Sequence, residues 1–216
     1  MSKPDTINRY AEYLDLKHPL HMLDESKDPW AVSASLILAA HCTDVAVNKV
    51  MAKLLEAFPT PESILKDGVT KEQIVALLPG ISHSGNKSDY LKNVAKVLVA
   101  NNHNFENDLE KITEISGVGR KTGTIVLYRC YGSDQGFPLD THCLRVFERL
   151  GWYSATKPKP LEKELLADFP DGTRNKSHII LTQFGRLICH PKKPKCDECK
   201  FAPDCKFAKD APAVGS

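Results

Sequence analysis

No apolar run in this 216-residue chain is long enough to cross a bilayer; the longest, AVSASLILAA, has ten residues, two of them serine. The opening stretch, MSKPDTINRYAEYLDLKHPL, is charged and lacks the continuous apolar segment of a secretory leader. A cytoplasmic protein is therefore expected, with reduced thiols and no disulfide framework. Charge of one sign is also scarce. The formal net charge is +2 and the pI about 8.1, so bulk charge does not by itself mark a nucleic-acid partner. Internal repeats and low-complexity segments are missing. So is any train of alternating strands, and the expected fold class is all-α.

What is present is helical periodicity. LKNVAKVLVANN sets Leu91, Val94, Ala95 and Leu98 on one face. AVSASLILAAHC is apolar on nearly every side, as a central buried helix requires. FPTPESIL predicts a helix start, with Thr60 as N-cap and Pro61 in the first helical position. THCLRVFERLG ends at Gly151, a natural stop, and LEKELLADF and KSHIILTQFGRLI predict further helices. The best candidate for a boundary between helical blocks is GSDQGFPLD, residues 132–140.

Four of the seven cysteines fall in CHPKKPKCDECKFAPDC: Cys189, Cys196, Cys199 and Cys205, with gaps of six, two and five residues. Thiolates grouped so tightly in a cytoplasmic protein indicate metal more often than catalysis. Only Cys196 and Cys199 form a short clip, whereas structural zinc sites commonly use two. Four ligands wrapping one compact object also suit an iron–sulfur cluster, and spacing leaves zinc, iron–sulfur and unligated thiols open. From Arg186 to Lys209 seven basic residues face three acidic ones, a local excess of four that leaves the rest of the chain at net −2. Lys192, Lys193 and Lys195 occupy this loop among prolines, either as a phosphate contact or as a solvated charged loop. Cys42, Cys130 and Cys143 stand among apolar neighbours and are expected in the core.

EISGVGRKTGTIVLYRC predicts helix, two-glycine turn, helix. Gly117 and Gly119 permit a tight turn whose amides, with those of the next helix, point outward as a nest for an anionic oxygen. Arg120 and Lys121 follow at the mouth of that helix. Taken alone, Lys121 is a solvated first-turn lysine, and Asp140 is an N-cap for the helix beginning THCLRVF.

ISGVGRKTG resembles the helix–hairpin–helix of the endonuclease III family of DNA glycosylases, whose usual form is L-P-G-V-G-x-K-T-A. PLDTHCLRV resembles that family's V-D-T-H motif, and AAHCTDVAVNKV its A-Q-A-T-D-x-x-V-N-K segment. The cysteine spacing matches the one the family uses for a [4Fe–4S] cluster. The resemblance runs from about residue 20 to 207, with four motifs in register. It implies a six-helix domain over 22–133 carrying the hairpin, and an iron–sulfur cluster domain formed by 1–21 with 134–216. It also implies a [4Fe–4S] cofactor on Cys189, Cys196, Cys199 and Cys205, with Lys121 as nucleophile and Asp140 as its carboxylate partner. Gly117, Gly119, Arg120, His41, Ile81, Lys192 and Lys193 are then DNA contacts. The implied partner is double-stranded DNA with damaged bases or abasic sites, bound by a monomer in the bacterial or archaeal nucleoid region of the cytoplasm.

The chemistry fits those residue types. Base departure builds positive charge on the sugar, which a carboxylate stabilises. A lysine amine attacking C1′ captures the sugar as a Schiff base, an electron sink that allows β-elimination of the 3′ phosphate. A free lysine is neutral in only about one part in a few thousand at pH 7, so the site has to favour the neutral amine or take its proton. A base inside the duplex has to be flipped out, and the resemblance assigns gap filling to His41 and to the segment after Gly80, where Ile81 is the nearest apolar wedge. Here the chain departs from the family pattern. His41 stands where Gln is usual, ISHSGNKSDY is about two residues longer, and Ser116 replaces the hairpin proline. Titration of His41 near neutrality would make its DNA contact depend on pH. A mismatch-adenine glycosylase generally lacks the hairpin lysine and carries a catalytic glutamate where this chain has Ile37. Thymine- or uracil-mismatch glycosylases, a non-catalytic DNA-binding iron–sulfur protein and a zinc-binding interaction module are the remaining rivals.

Overall fold

Asp28 begins the first helix of the central block by accepting hydrogen bonds from the N–H groups of Trp30 and Ala31, at 3.3 and 3.1 Å. The computed structural model describes residues 3–11, 26–154 and 158–210. Among these, every regular element is helical. The chain divides into two compact units, Pro19–Gln135 and Met1–His18 with Gly136–Ser216. The expected boundary at residues 21 and 22 lies outside the described residues.

Among its described residues the unit Pro19–Gln135 has six α-helices: α2 (Pro29–Ala39), α3 (Asp44–Ala57), α4 (Lys71–Ala76), α5 (Ser84–Ala100), α6 (Leu109–Thr113) and α7 (Arg120–Tyr131). α2 is buried along most of its length and packs against α3, α5 and α7. That explains a sequence with no polar face. Its two buried serines close onto their own helix, Ser33 Oγ donating to Pro29 O and Ser35 Oγ to Val32 O. Trp30, fully buried, donates its indole N–H to Phe58 O at 2.9 Å. On α5 the predicted face is the buried one, Leu91, Val94, Ala95 and Leu98.

FPTPESIL differs from expectation. Instead of a helix starting at Pro61 it forms a single 3₁₀ turn, Ser63–Leu65, that buries Ile64. Ser63 Oγ donates back to Thr60 O, and Gly68 at φ +86° turns the chain away before a second turn can form. The next helix, α4, is started by a capping box between Thr70 and Gln73.

The other unit contains α1 (Lys3–Ala11), α8 (Thr141–Leu150), α9 (Pro158–Asp168), α10 (Arg174–Leu187) and α11 (Lys206–Asp210). α8 packs on α10 and α11, and α1 on α10. Phe147 sits at the centre of an aromatic cluster with Phe137, Tyr153 and Phe169, ring centroids 5.0–6.2 Å away. α8 ends at Gly151, φ +74°, where the sequence placed its stop.

Candidate functional site

The turn between α6 and α7 is shaped by Gly117, whose φ of +98° favours glycine and whose backbone lies against Tyr90 of α5. A methyl group there would meet Tyr90 Cγ at 2.3 Å. Gly119 is the N-cap of α7 in extended backbone, and Arg120 and Lys121 are exposed on the first turn. The leading N–H groups of any α-helix have no acceptor inside it, and the helix dipole adds partial positive charge there. Arg120 also pairs with Glu110 at 2.8 Å. Gly123, where the family pattern has alanine, lies against α6: an added methyl would meet Ile112 Cγ2 at 2.8 Å.

One turn before Tyr90 on α5 is Lys87, 3 % exposed. Its Nζ donates to Leu38 O at 2.9 Å and Ala40 O at 2.6 Å, and lies 3.4 Å from Cys42 Sγ. Ser82 completes the clamp, with its N–H on Cys42 Sγ and its hydroxyl donating to His41 O at 3.0 Å. Burial pushes the Cys42 thiol up, but the hydrogen bonds from Ser82 and Lys87 outweigh it and hold the thiol below its ordinary value. Cys42 is thus a clamp residue at the core edge, and only Cys143 of the three scattered cysteines is fully buried. One helix, α5, therefore meets the hairpin at Tyr90 and loop 40–42 at Lys87, and Ser82 ties loop 80–83 to loop 40–42.

Those loops hold His41 and His83, both exposed, both at positive φ (56° and 55°), with ring centroids 6.5 Å apart in an edge-on arrangement. Left-handed backbone at a non-glycine residue costs about 1–2 kcal/mol, and the Lys87–Ser82 clamp offsets it. Ile81 does not offer the expected wedge. It is 6 % exposed and part of the core around Leu78, because the turn at Gly80 and the Ile81 N–H bond to Leu78 O fold it inward. A side chain that enters a base stack has to stand out into solvent.

Asp140, half-buried, caps α8: Oδ1 accepts from Cys143 N–H at 2.8 Å, and Oδ2 accepts from the Thr182 hydroxyl of α10 at 3.0 Å. Behind it lie Cys143 Sγ and His178 Nδ1, 3.4 Å apart. Burial, then the Asp140 charge, push the Cys143 thiol well above its ordinary value. Burial likewise holds His142 below its ordinary value. Asp140, Cys143 and His178 have donor atoms within 4.8 Å of one another. Cys143 Sγ, His178 Nδ1 and the Thr182 hydroxyl lie 3.4–3.9 Å from one another, a hydrogen-bonded cluster beside Asp140.

The four clustered cysteines line one pocket, together with Leu150, Ile188 and Phe201. Arg149 of α8 holds its rim, donating to Cys189 Sγ at 3.2 Å, His190 O at 2.7 Å and Pro191 O at 2.8 Å. Arg145, one turn earlier, donates to Cys189 O and Gly185 O. Burial, then the neighbouring Cys205 and Cys189 sulfurs, push the Cys196 thiol up. A bound cation reverses that preference, and four convergent sulfurs with cationic side chains behind them fit a thiolate-ligated metal group. Lys192 and Lys193 are exposed on the loop that Arg149 pins.

The family model for HhH-GPD superfamily base excision DNA repair proteins matches residues 34–170. Endonuclease III of Rickettsia felis is 30% identical over 182 residues, 84% of each chain. Endonuclease III of Sulfolobus acidocaldarius is 31% identical over 198 residues, 88% of this chain and 87% of the other. A solved structure of a trapped endonuclease III–DNA covalent intermediate superposes with a TM-score of 0.85 at 26% identity, covering 97% of this chain and 98% of that one. The chain belongs to the HhH-GPD superfamily of base excision DNA repair proteins, where it stands with the endonuclease III-like DNA glycosylases.

Sequence reasoning missed Lys87, Tyr90, Arg145, Arg149 and Thr182 as supports of these features. Arg145 and Arg149 carried a faint signal, an i, i+4 pair of cations on the helix that opens with the V-D-T-H-like motif.

Proposed function

We propose that this chain is a bifunctional DNA glycosylase and abasic-site lyase that removes oxidised pyrimidines from duplex DNA. The observation that carries this reading is Lys121 in the first turn of α7, directly behind a glycine turn whose shape Tyr90 enforces, in a fold shared with a trapped endonuclease III–DNA covalent intermediate. In this account the leading amides of α7 and the exposed Lys192 and Lys193 hold DNA phosphates. The Lys121 amine attacks C1′ as the C1′–N bond to the damaged base breaks; the leaving base takes a proton, the attacking nitrogen loses one, and the C1′–O4′ bond then opens with a proton to O4′. The resulting Schiff base draws off the electrons released when a proton leaves C2′, and the C3′–O bond breaks to expel the 3′ phosphate. Asp140, which accepts from Cys143 N–H and from the Thr182 hydroxyl, supplies the negative charge that steadies the developing cation of the sugar.

Cys189, Cys196, Cys199 and Cys205, which line one pocket, would hold a [4Fe–4S] cluster, the group for which the family uses this cysteine spacing. With all four corners ligated by protein, such a group organises the Lys192–Lys193 loop and leaves no open position for substrate. In this reading His41 and His83, exposed side by side, fill the gap that a flipped-out base leaves. The protein acts as a monomer on DNA inside the cell.

Base release from duplexes carrying thymine glycol, dihydrouracil, a G·T or G·U pair, or an adenine mismatch tests the reading. Release from the first two with strand cleavage, by brown iron-containing protein, is expected. Release confined to mismatches, without cleavage, would move the chain to a mismatch branch. Colourless protein prepared without oxygen would remove the cluster.

A further inference from the structure

Asp140 has two carboxylate oxygens, and its N-cap bond fixes only one. The bond from Cys143 N–H to Oδ1 ties the side chain to its own helix. The second oxygen is met from a different helix. Thr182 lies in the middle of α10, 4 % exposed, and its hydroxyl reaches Asp140 Oδ2 at 3.0 Å. A threonine inside a helix ordinarily returns its hydroxyl to the carbonyl four residues back. Here the competing positions are poorer acceptors or more distant: His178 Nδ1 at 3.5 Å and Cys143 Sγ at 3.9 Å. A carboxylate is the strongest acceptor of the three, and the bond to it is the shortest.

We propose that Thr182 is a positioning residue that fixes the orientation of the Asp140 carboxylate, with His178 and Cys143 packed behind it as a wall. The proposal rests on the role given to Asp140 above. Its consequence is that one oxygen stays committed to the helix cap while the other is aimed by α10, so a residue that also starts a helix keeps a single carboxylate geometry. Orientation matters because a displacement of about 1 Å in a reacting group lowers a rate by about 100-fold.

The test compares wild type with Thr182→Val, Thr182→Ser and Asp140→Asn, reading single-turnover base release, affinity for an abasic-site duplex and the melting temperature. Valine keeps the shape and removes the hydroxyl. The expected result is a 10- to 100-fold loss of rate (the order that such misplacement produces), with affinity and melting temperature near wild type, and recovery of most of the rate in Thr182→Ser. Should valine prevent folding, Thr182→Ala repeats the comparison without the hydroxyl. Wild-type rates in the hydroxyl-free variants, with Asp140→Asn inactive, would overturn the positioning role and leave the catalytic reading standing. Equal losses in Thr182→Ser and Thr182→Val would overturn it too, since the hydroxyl would not be what matters. An active Asp140→Asn would overturn the reading itself, and the positioning role with it.

Discussion

At Gly117 and Gly119 two glycines separated by one residue answer to different demands. Gly117 combines a φ of +98° with a backbone pressed on Tyr90, so an added methyl is strained by conformation and collides at 2.3 Å. Gly119 has a φ of −77°, and an added methyl there meets no described atom within 4 Å. Gly117→Ala is therefore expected to cost about 1–3 kcal/mol and to distort the hairpin, weakening binding to an abasic-site duplex. Gly119→Ala is expected to cost about 1 kcal/mol at most, as a weaker N-cap. Thermal unfolding and duplex titration of both variants check this; equal effects would contradict it. The G-x-G pattern made the turn legible, but not which glycine bears the constraint, because Tyr90 lies 27 positions away in sequence. Ile81 shows the same limit. Its place after Gly80 suggested a wedge, yet the direction of a side chain at a turn depends on the core beneath it.

At the scale of elements, amphipathic faces were legible and their anchors were not. The apolar stripe of α5 was readable from its spacing, since burial of Leu91, Val94, Ala95 and Leu98 is what selects it. Lys87 and Tyr90, on the same helix, looked like ordinary polar positions, and only the fold brings loop 40–42 and the hairpin to them. α1 is held by a comparable anchor. Lys3 Nζ lies 2.8 Å from Asp168 Oδ2 and 3.9 Å from the Tyr153 ring centroid, and Tyr153 donates its hydroxyl to the same carboxylate. The Lys3 bond, then the Tyr153 bond, hold the Asp168 carboxyl below its ordinary value. A carboxyl lowered on folding stabilises the native state above its unfolded pKa of about 3.9 and loses that contribution as pH falls through the lowered value. Asp168→Asn should therefore unfold at lower temperature than wild type near neutrality, the gap closing below about pH 4. A gap independent of pH would show that the ion pair and hydrogen bond are not its source. The pair is partly exposed, so the effect is modest.

For the whole molecule, the order of motifs carried the family and the fold class, because a hairpin, an aspartate-capped helix and four cysteines in register constrain far more than any one alone. A net charge of +2 carried almost nothing, since the basic excess sits in a single loop that Arg149 pins beside the cysteine pocket. What the chain could not disclose is which small residues hold the chemistry in place: Thr182 sits among apolar neighbours on α10, and its partner Asp140 is 42 positions earlier. The central claim is that Lys121 is the nucleophile. Borohydride reduction of the protein on a duplex carrying an abasic site or thymine glycol tests it most directly, with wild type beside Lys121→Gln. Wild type is expected to form a covalent protein–DNA adduct and Lys121→Gln none, although the variant still binds the duplex. An adduct that persists in Lys121→Gln, or base release by wild type with no adduct at all, would contradict it.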